Sequence, residues 1–388
     1  MRAFADPSFR VVVVRLRPPT WRTPAMKTLH RFAPVAAVGA AALLLASCGS
    51  RPDDTAGSAE GSGGGDAFKA CMVLDTGGVD DRSFNQSSYA GMEAAKAENP
   101  NIEISYVPSA DDTQYTPNLQ AQVQAGCDTI IGVGGLMADS MKEVASANPD
   151  QSFAEIDSSS EEANVYALQY NTAEAAFLGG YLAAGMTKTG VVGTWGGLPI
   201  PPVTIFMDGF WEGVQHHNQQ KGTNVRVLGW DENNPGGGTF ANSFQDQAAG
   251  RSITETLAGQ GADVIMPVAG QAGLGAGAAA EAAGGNLNLV WVDTDGCESA
   301  EQYCKYFISS VTKNLTDSVK EYVLAAADGE APTGSYVGTL ENEGVGLAPF
   351  NQFDAQVPAE LKSELEAVRA GIVDGSIEIT SPSAIAAS

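Results

Sequence analysis

Short apolar runs alternate with longer, alanine-rich amphipathic stretches from residue 68 onward. Runs of this length bounded by polar residues are typical of buried strands, and the longer stretches have the spacing of amphipathic helices. Strands separated by single helices predict parallel sheets that are covered on both faces. The predicted strands are 70–75, 102–107, 128–133, 152–157, 164–170, 191–195, 224–230, 262–268 and 288–293, and the predicted helices lie near 83–98, 115–125, 136–147, 172–186, 203–219, 243–258 and 273–284.

The strands and helices fall into two consecutive series, which predict two α/β lobes, each with a doubly wound parallel sheet. A chain of 388 residues is long enough to form two hydrophobic cores. A later apolar run, YFISSV at 306–311, and a helix at 314–327 predict that the chain then returns to the first lobe. The first lobe is therefore predicted to contain 68–171 and 294–330, and the second lobe 172–293 and 331–388.

The N-terminal region has the layout of a secretory signal. From Met26 onward, two basic residues precede an apolar core that ends in Leu-Ala-Ser-Cys at 45–48. The apolar run is too short to span a membrane, and LASC resembles a bacterial lipobox, in which the cysteine is diacylated and becomes the mature N-terminus. We therefore expect residues 1–47 to be a signal region translated from Met26, Cys48 to be lipidated, and 48–67 to be a flexible tether. The alternative is an ordinary buried helix.

The chain is strongly acidic, with a formal net charge of −25. Removal of residues 1–47 takes away seven basic residues and one acidic residue, which leaves a net charge of −31. Such a surface repels phosphate backbones and anionic lipid headgroups, so nucleic acid is not expected as a partner.

Four cysteines remain once Cys48 is assigned to the lipid anchor. An even number outside the cytoplasm predicts two disulfides, for which three pairings are possible. The short CESAEQYC loop favours Cys297–Cys304, and adjacent parallel strands would bring Cys71 and Cys127 together, because each begins an apolar run. Zinc is the alternative, but the chain has no CxxC motif and only one pair of adjacent histidines after residue 47, so no metal is expected.

Polar, aromatic and glycine residues gather where the predicted strands end. In the first series, strands end at Asp75, at the glycines of 132–135 and at Asp157; in the second, they end at Trp-Gly-Gly (195–197) and Asp293. Open α/β sheets bind ligands outside the carboxyl ends of their strands. Facing sheet edges would therefore form a cleft between the lobes, lined with carboxylates and aromatic rings.

Motifs that would indicate catalysis or a cofactor are weak. GLGAGA at 273–278 has the form of a dinucleotide fingerprint, but the next strand-end acid follows too soon, and close helix packing explains the small residues better. The acids of 75–81 lack the alternating ligands and closing glutamate of a calcium loop. Neither a Walker loop nor GxSxG occurs, and no histidine is placed to activate a nucleophile. We therefore expect neither an enzyme nor a cofactor.

A family resemblance rests on motifs that occur in order along the chain. DTGGVDDRSFNQSSYAGM, FAEID, FMDGFWEGV, VWVDTDG, SSVTKNLTDSV and ENEGVGLAPF follow the lipobox. This series resembles the basic membrane protein family, the substrate-binding lipoproteins of ABC transporters that are similar to purine nucleoside receptors. The resemblance covers about 68–380 and implies a type I periplasmic-binding-protein fold, with two α/β lobes joined by three crossings.

The resemblance also implies ligand contacts, which are carried over only where the motifs coincide. Asp75 and Asn85 are expected to form hydrogen bonds, and Asp157 to read the edge of a base. Asp293 and Lys313 are expected to hold ribose hydroxyls. Phe84 and Phe244 resemble the two plates that clamp the base, and Gly270 leaves room beside the backbone. Phe240 and Asp295 remain competitors for Phe244 and Asp293.

Two further expectations concern the loop between the first strand and the first helix. SFNQSSY reads as a helix start with Ser83 as the N-cap residue. Asp80 and Asp81 are expected to matter least to the ligand.

The resulting hypothesis is a receptor that binds a nucleoside and delivers it to a membrane permease, whose separate ATPase uses the ATP. The protein is expected to be a monomer held at the membrane by its lipid. A sugar or another small neutral solute is the nearest alternative ligand. A sensory receptor and a secreted hydrolase or nucleotide-dependent enzyme are alternatives from other classes.

Overall fold

The computed structural model describes residues 67–385. The signal region, the start at Met26, the lipidated Cys48 and nearly all of the tether lie outside the described residues and stay predictions. Within the described part, no helix combines the length and the apolar character that a membrane crossing requires.

The first sheet has six parallel strands in the order β2-β1-β3-β4-β5-β11. Its strands alternate with helices because the connection between two parallel strands must cross over one face of the sheet. The strands are β1 (Phe68–Leu74), β2 (Ile102–Pro108), β3 (Thr129–Val133), β4 (Ser152–Ile156), β5 (Val165–Tyr170) and β11 (Gly334–Gly338).

The second sheet repeats this order as β7-β6-β8-β9-β10-β12, with the short β12 antiparallel to β10. Its strands are β6 (Val191–Gly196), β7 (Arg226–Leu228), β8 (Val264–Val268), β9 (Asn288–Asp293), β10 (Phe307–Lys313) and β12 (Val345–Leu347). The helices are α1 (Phe84–Glu98), α2 (Tyr115–Gln124), α3 (Ala138–Ala147), α4 (Thr172–Met186), α5 (Pro201–Lys221), α6 (Gln247–Gly259), α7 (Leu274–Ala282), α8 (Gly296–Ser299), α9 (Leu315–Ala327) and α10 (Ala359–Val373).

The predicted doubly wound, two-lobed α/β fold is confirmed, but the predicted lobe boundaries after residue 293 are wrong in two places. β10 pairs with β9 and so belongs to the second lobe, and the return to the first lobe occurs after this strand, where α9 packs against α1. β11 pairs with β5 and belongs to the first lobe. An apolar run shows that a strand is buried, but it does not show which of two sheets the strand joins. The first lobe therefore contains 68–171 and 314–338.

Both predicted disulfides are formed. Cys71 of β1 is bonded to Cys127, which directly precedes the paired strand β3, and Cys297 is bonded to Cys304 across a loop of the second lobe. The first bond therefore ties two neighbouring strands of one sheet, whereas the second closes a local turn.

Candidate functional site

All eight predicted contact residues line one cleft between the lobes, which we call the interlobe cleft. It lies at the carboxyl ends of the strands of both sheets, as the rule for open α/β sheets predicts. Its wall includes Asp75, Asp81, Phe84, Asn85, Asp157, Phe206, Phe244, Gly270, Asp293 and Lys313. The structure thus brings together residues that are as far as 238 positions apart in the chain.

Asp75 follows β1 and is buried at the base of the cleft. The Asn85 side-chain amide donates a hydrogen bond of 2.8 Å to Asp75 Oδ1. Gly134 has a φ of +106° and leaves the space that the carboxyl group fills, since an added Cβ would lie 2.5 Å from Asp75 Oδ2. Burial raises the pKa of Asp75 to about 8, against the opposing effect of the Asn85 amide, so the carboxyl is largely protonated at neutral pH. The buried Asn85 Oδ1 accepts no hydrogen bond within the described residues, so it can accept one from a ligand.

Asp81, and not Ser83, caps the first helix with its side chain. Its carboxylate accepts hydrogen bonds from the backbone N–H groups of Ser83, Asn85 and Gln86, at 3.0, 2.8 and 3.1 Å. Burial raises the pKa of Asp81 to about 6, although these hydrogen bonds oppose the shift. Ser83 is the N-cap residue, as predicted, but its hydroxyl is directed across the cleft and makes no capping hydrogen bond. Asp80, in contrast, is exposed.

Two polar contacts join the lobes across the cleft. The fully buried Ser83 hydroxyl donates a hydrogen bond of 2.5 Å to Asp293 Oδ2. The Lys313 ammonium, at the end of β10, forms a short ion pair with Asp157 and lies 3.8 Å from Asp293 Oδ1. Burial raises the pKa of the Asp157 carboxyl, and the charge of Lys313 opposes that shift. The site therefore holds its one lysine against the strand-end acids of both lobes.

Three phenylalanine rings supply the apolar wall of the cleft. The Lys313 ammonium lies 5.1 Å from the ring centre of Phe84 and 5.0 Å from that of Phe206, which are cation–π distances. Phe206 was not predicted as a cleft residue, although it lies within the first two turns of α5, a helix whose first residues line the cleft. Phe244 lines the cleft opposite the first lobe.

The two competitor residues lie elsewhere. Phe240 packs edge-on against Trp230, with ring centres 6.0 Å apart. Asp295 accepts a hydrogen bond from the Cys297 backbone at the start of α8 and another from the Asn351 side chain. Neither lines the cleft, so the structure favours Phe244 and Asp293. Among the described residues, no group of three or more histidine, cysteine, aspartate or glutamate side chains is arranged to hold a metal ion.

Comparison with known proteins agrees with the geometry of the cleft. Residues 68–380 match the family model described as "ABC transporter substrate-binding protein PnrA-like". The chain belongs to this family. The resemblance to the basic membrane protein family, inferred above from the ordered motifs, is therefore confirmed.

Relatives in the family span most of the chain. The "ABC transporter nucleoside-binding protein BmpA" of Lactococcus lactis is 29% identical over 334 residues, which cover 81% of this chain and 89% of the relative. The "CD4+ T-cell-stimulating antigen" of Listeria monocytogenes is 30% identical over 361 residues, covering 88% and 95%. An ABC transporter solute-binding protein of Aeropyrum pernix has a similar solved structure, with a TM-score of 0.73, 24% identity and coverage of 81% and 94%. This likeness supports the type I periplasmic-binding-protein fold.

Proposed function

We propose that the protein is a nucleoside receptor that closes its two lobes around the ligand and delivers it to an ABC importer. The observation that carries this proposal is the composition of the interlobe cleft, in which phenylalanine rings from both lobes face buried carboxyl groups. A base is flat and apolar on its faces, and its edge is polar. The L. lactis relative carries the name of a nucleoside-binding protein, which supports the same ligand class.

Each group has a chemical part in this proposal. Phe84 and Phe244 stack on the two faces of the base, which adds stacking to apolar burial. Asp157 reads the edge of the base, and Asp293 accepts hydrogen bonds from ribose hydroxyls, where Lys313 assists it. A ligand must displace the Lys313 ammonium from the rings of Phe84 and Phe206 before a base can take that place.

Delivery would proceed without chemistry in this chain. The lipid on Cys48 would hold the receptor at the extracytoplasmic face of the membrane, and the closed lobes would present a joint surface to the permease. The ATPase subunit of the importer would supply the energy. Selectivity would arise because a wrong ligand leaves buried polar groups of the cleft without partners.

Calorimetric titration with purine nucleosides, pyrimidine nucleosides and sugars tests this proposal. We expect micromolar or tighter binding of at least one nucleoside, and a loss of about a hundredfold in Asp293→Ala because ribose hydroxyls lose their acceptor. Asp295→Ala is the matched control, since this neighbouring acid lies outside the cleft. Heat with sugars alone, or with no member of the panel, would refute the nucleoside proposal. Mass spectrometry of the compound released by denaturing the purified protein would identify the natural ligand.

A further inference from the structure

A second cavity, which we call the side chamber, adjoins the interlobe cleft. It has a volume of about 540 Å³, a size that is typical of small-molecule sites. Gly135, Asp157 and Pro202 line both cavities and therefore form the wall between them.

This shared wall, which we call the seam, is formed by residues of both lobes. Gly135 and Asp157 follow strands of the first lobe, whereas Pro202 begins α5 of the second lobe. A Cβ added to Gly135 would lie 2.8 Å from the Asp157 carbonyl oxygen and 3.2 Å from Pro202 Cγ, so the lobes approach each other closely at a residue that lacks a side chain. Because the wall is formed by two separate lobes, it opens when the lobes separate. A ligand that enters at that stage then lies across the seam once the lobes close.

The lining of the chamber combines neutral polar residues with apolar ones such as Ile205 and Val337. Ser158, Ser335 and Gln169 supply its polar surface, and Asp157, at the seam, is the one charged residue among the described residues that line it. Gln169 is half-buried and Ser335 is exposed, so their side chains are accessible to a ligand in the chamber. These groups suit a polar, uncharged substituent, and they offer no counter-charge for an anion.

The outer wall of the chamber is a C-terminal segment fixed along α5. The Thr380 backbone donates a hydrogen bond of 3.0 Å to Glu212, and the Ser381 hydroxyl donates one of 2.7 Å to Asp208. The hydroxyls of Ser383 and Thr204 lie 2.7 Å apart. The three partners on α5 are spaced by four residues, about one helical turn, so the segment follows one face of the helix toward the cleft. Its last described residues then face the first lobe across the chamber.

We propose that the side chamber is a subsite for a polar, uncharged extension on the base edge of the ligand. This inference rests on the proposed function, in which the base edge faces Asp157. In adenine, the donor on that edge is the exocyclic amine at C6, so the expected ligands include adenosines whose amine carries a short hydroxyalkyl chain.

Titrations with adenosine and with N6-(2-hydroxyethyl)adenosine test the proposal. The wild-type protein is expected to bind the two with Kd values within about tenfold of each other. In Ser335→Phe, where a ring projects from the exposed strand into the chamber, the Kd of the extended nucleoside relative to adenosine should rise about tenfold or more. Ser105→Phe is the matched control, because Ser105 is an exposed serine on β2, the opposite edge strand of the same sheet, and its ratio should equal that of the wild type.

The outcomes separate this proposal from the function on which it rests. If adenosine binds but the extended nucleoside binds a hundredfold more weakly or not at all, the subsite is refuted and the nucleoside receptor stands. If both bind and Ser335→Phe leaves their ratio unchanged, the extension lies elsewhere and the subsite is again refuted. If wild-type protein binds neither these compounds nor any other nucleoside, both proposals fail.

Discussion

The two lobes have equivalent frameworks, and they place different chemistry on them. Each has six strands in the same spatial order, and each packs a crossing helix against the helix that follows its first strand, α9 on α1 and α4 on α5. The crossing helices begin alike, because Asn171 and Asn314 each donate a side-chain hydrogen bond to an acid three residues later. A shared framework thus holds the two walls of one cleft.

The acids at the ends of the fourth strands, β4 and β9, occupy equivalent positions in the two lobes but have different partners. Asp157 after β4 and Asp293 at the end of β9 both have positive φ, +62° and +68°, which few residues other than glycine, asparagine and aspartate adopt readily. Asp157 pairs with the lysine of the opposite lobe, whereas Asp293 accepts a hydrogen bond from the serine of the opposite lobe. The same strand-end geometry therefore gives one acid a close ion pair and the other a hydroxyl donor, with the lysine farther away at 3.8 Å.

Removal of the disulfide of each lobe is expected to give the largest change in stability and to differ between the lobes. Cys71–Cys127 closes a separation of 56 residues and Cys297–Cys304 a separation of 7. In the chain-entropy account, we expect replacement of the first pair by alanine to lower the free energy of unfolding by about 4 kcal/mol, and replacement of the second pair by about 2.5 kcal/mol. Equilibrium denaturation of the two double variants measures both losses. A larger loss from the second pair would show that loop length does not set the ranking.

The helix pairs provide a second test, in which glycines decide how closely the helices approach. An added Cβ at Gly180 of α4 would overlap the main chain of Phe210, whereas at Gly91 of α1 it would lie 2.7 Å from the Thr316 carbonyl oxygen. We expect Gly180→Ala to lower the free energy of unfolding by about 3 kcal/mol and Gly91→Ala by about 1 kcal/mol. The loss is larger at Gly180 because the two helices must move farther apart there to relieve the overlap with the main chain.

The control for the helix pairs is Gly259→Ala. Gly259 ends α6 with no atom near a Cβ position, so alanine should be neutral or slightly stabilising there. Equal losses at Gly180 and Gly91, measured by denaturant titration, would indicate that the two pairs are packed with the same tolerance.

The sequence sufficed for the fold and for most of the cleft because both depend on local rules. Apolar runs mark buried strands, and the residues after those runs must lie at the carboxyl edge of a parallel sheet. This reasoning located Asp75, Asp157 and Asp293, and the family motifs added Phe84, Asn85, Phe244, Gly270 and Lys313. Their roles as ligand contacts stay predictions.

The errors concern choices that no local pattern determines. The sheet that β10 joins, and the sheet that β11 joins, depend on which strands lie beside them in the folded chain. Ser83 is the N-cap residue, but the capping hydrogen bonds are made by Asp81, because the Ser83 hydroxyl bonds to Asp293, which is 210 residues away in the chain. Phe206 has the pattern of a core residue in an amphipathic helix, and only the tertiary packing inside the second lobe brings its ring within 5.0 Å of the Lys313 ammonium.

Replacement of Lys313 measures how much the burial of Asp157 depends on the lysine charge. The equivalent strand of the first lobe, β5, ends at Tyr170, so the cleft receives its lysine from the second lobe only. Lys313→Met leaves Asp157 buried without its partner, and we expect a loss of about 2 kcal/mol in the free energy of unfolding at pH 8. The loss is below the usual 3–5 kcal/mol because Asp157 can take up a proton.

The dependence of this loss on pH identifies its cause. Asp157 already has a raised pKa, and loss of the lysine removes the charge that opposes the shift, so the penalty should shrink toward pH 5. In an Asp157→Asn background, the same Lys313→Met change should cost less at pH 8, as urea denaturation of the four variants would measure. A loss that is equal at both pH values would mean that the packing of the lysine stem, and not its charge, matters.

Asp75 gives the smallest effect per pH unit, and its contribution has no counterpart in the second lobe, because β6, the equivalent of β1, ends at Gly196 and carries no such acid. The folded pKa of about 8 lies above the ordinary value of 3.8, so between these values the folded chain retains a proton that the unfolded chain has lost. Stability is therefore lost as the pH rises, by at most about 1.4 kcal/mol per pH unit from this group. In Asp75→Asn, which keeps the acceptor for Asn85, the fall from pH 5 to pH 8 should be shallower, whereas the exposed Asp80→Asn should follow the wild type. Identical slopes for Asp75→Asn and the wild type would show that Asp75 is ionised in the folded protein.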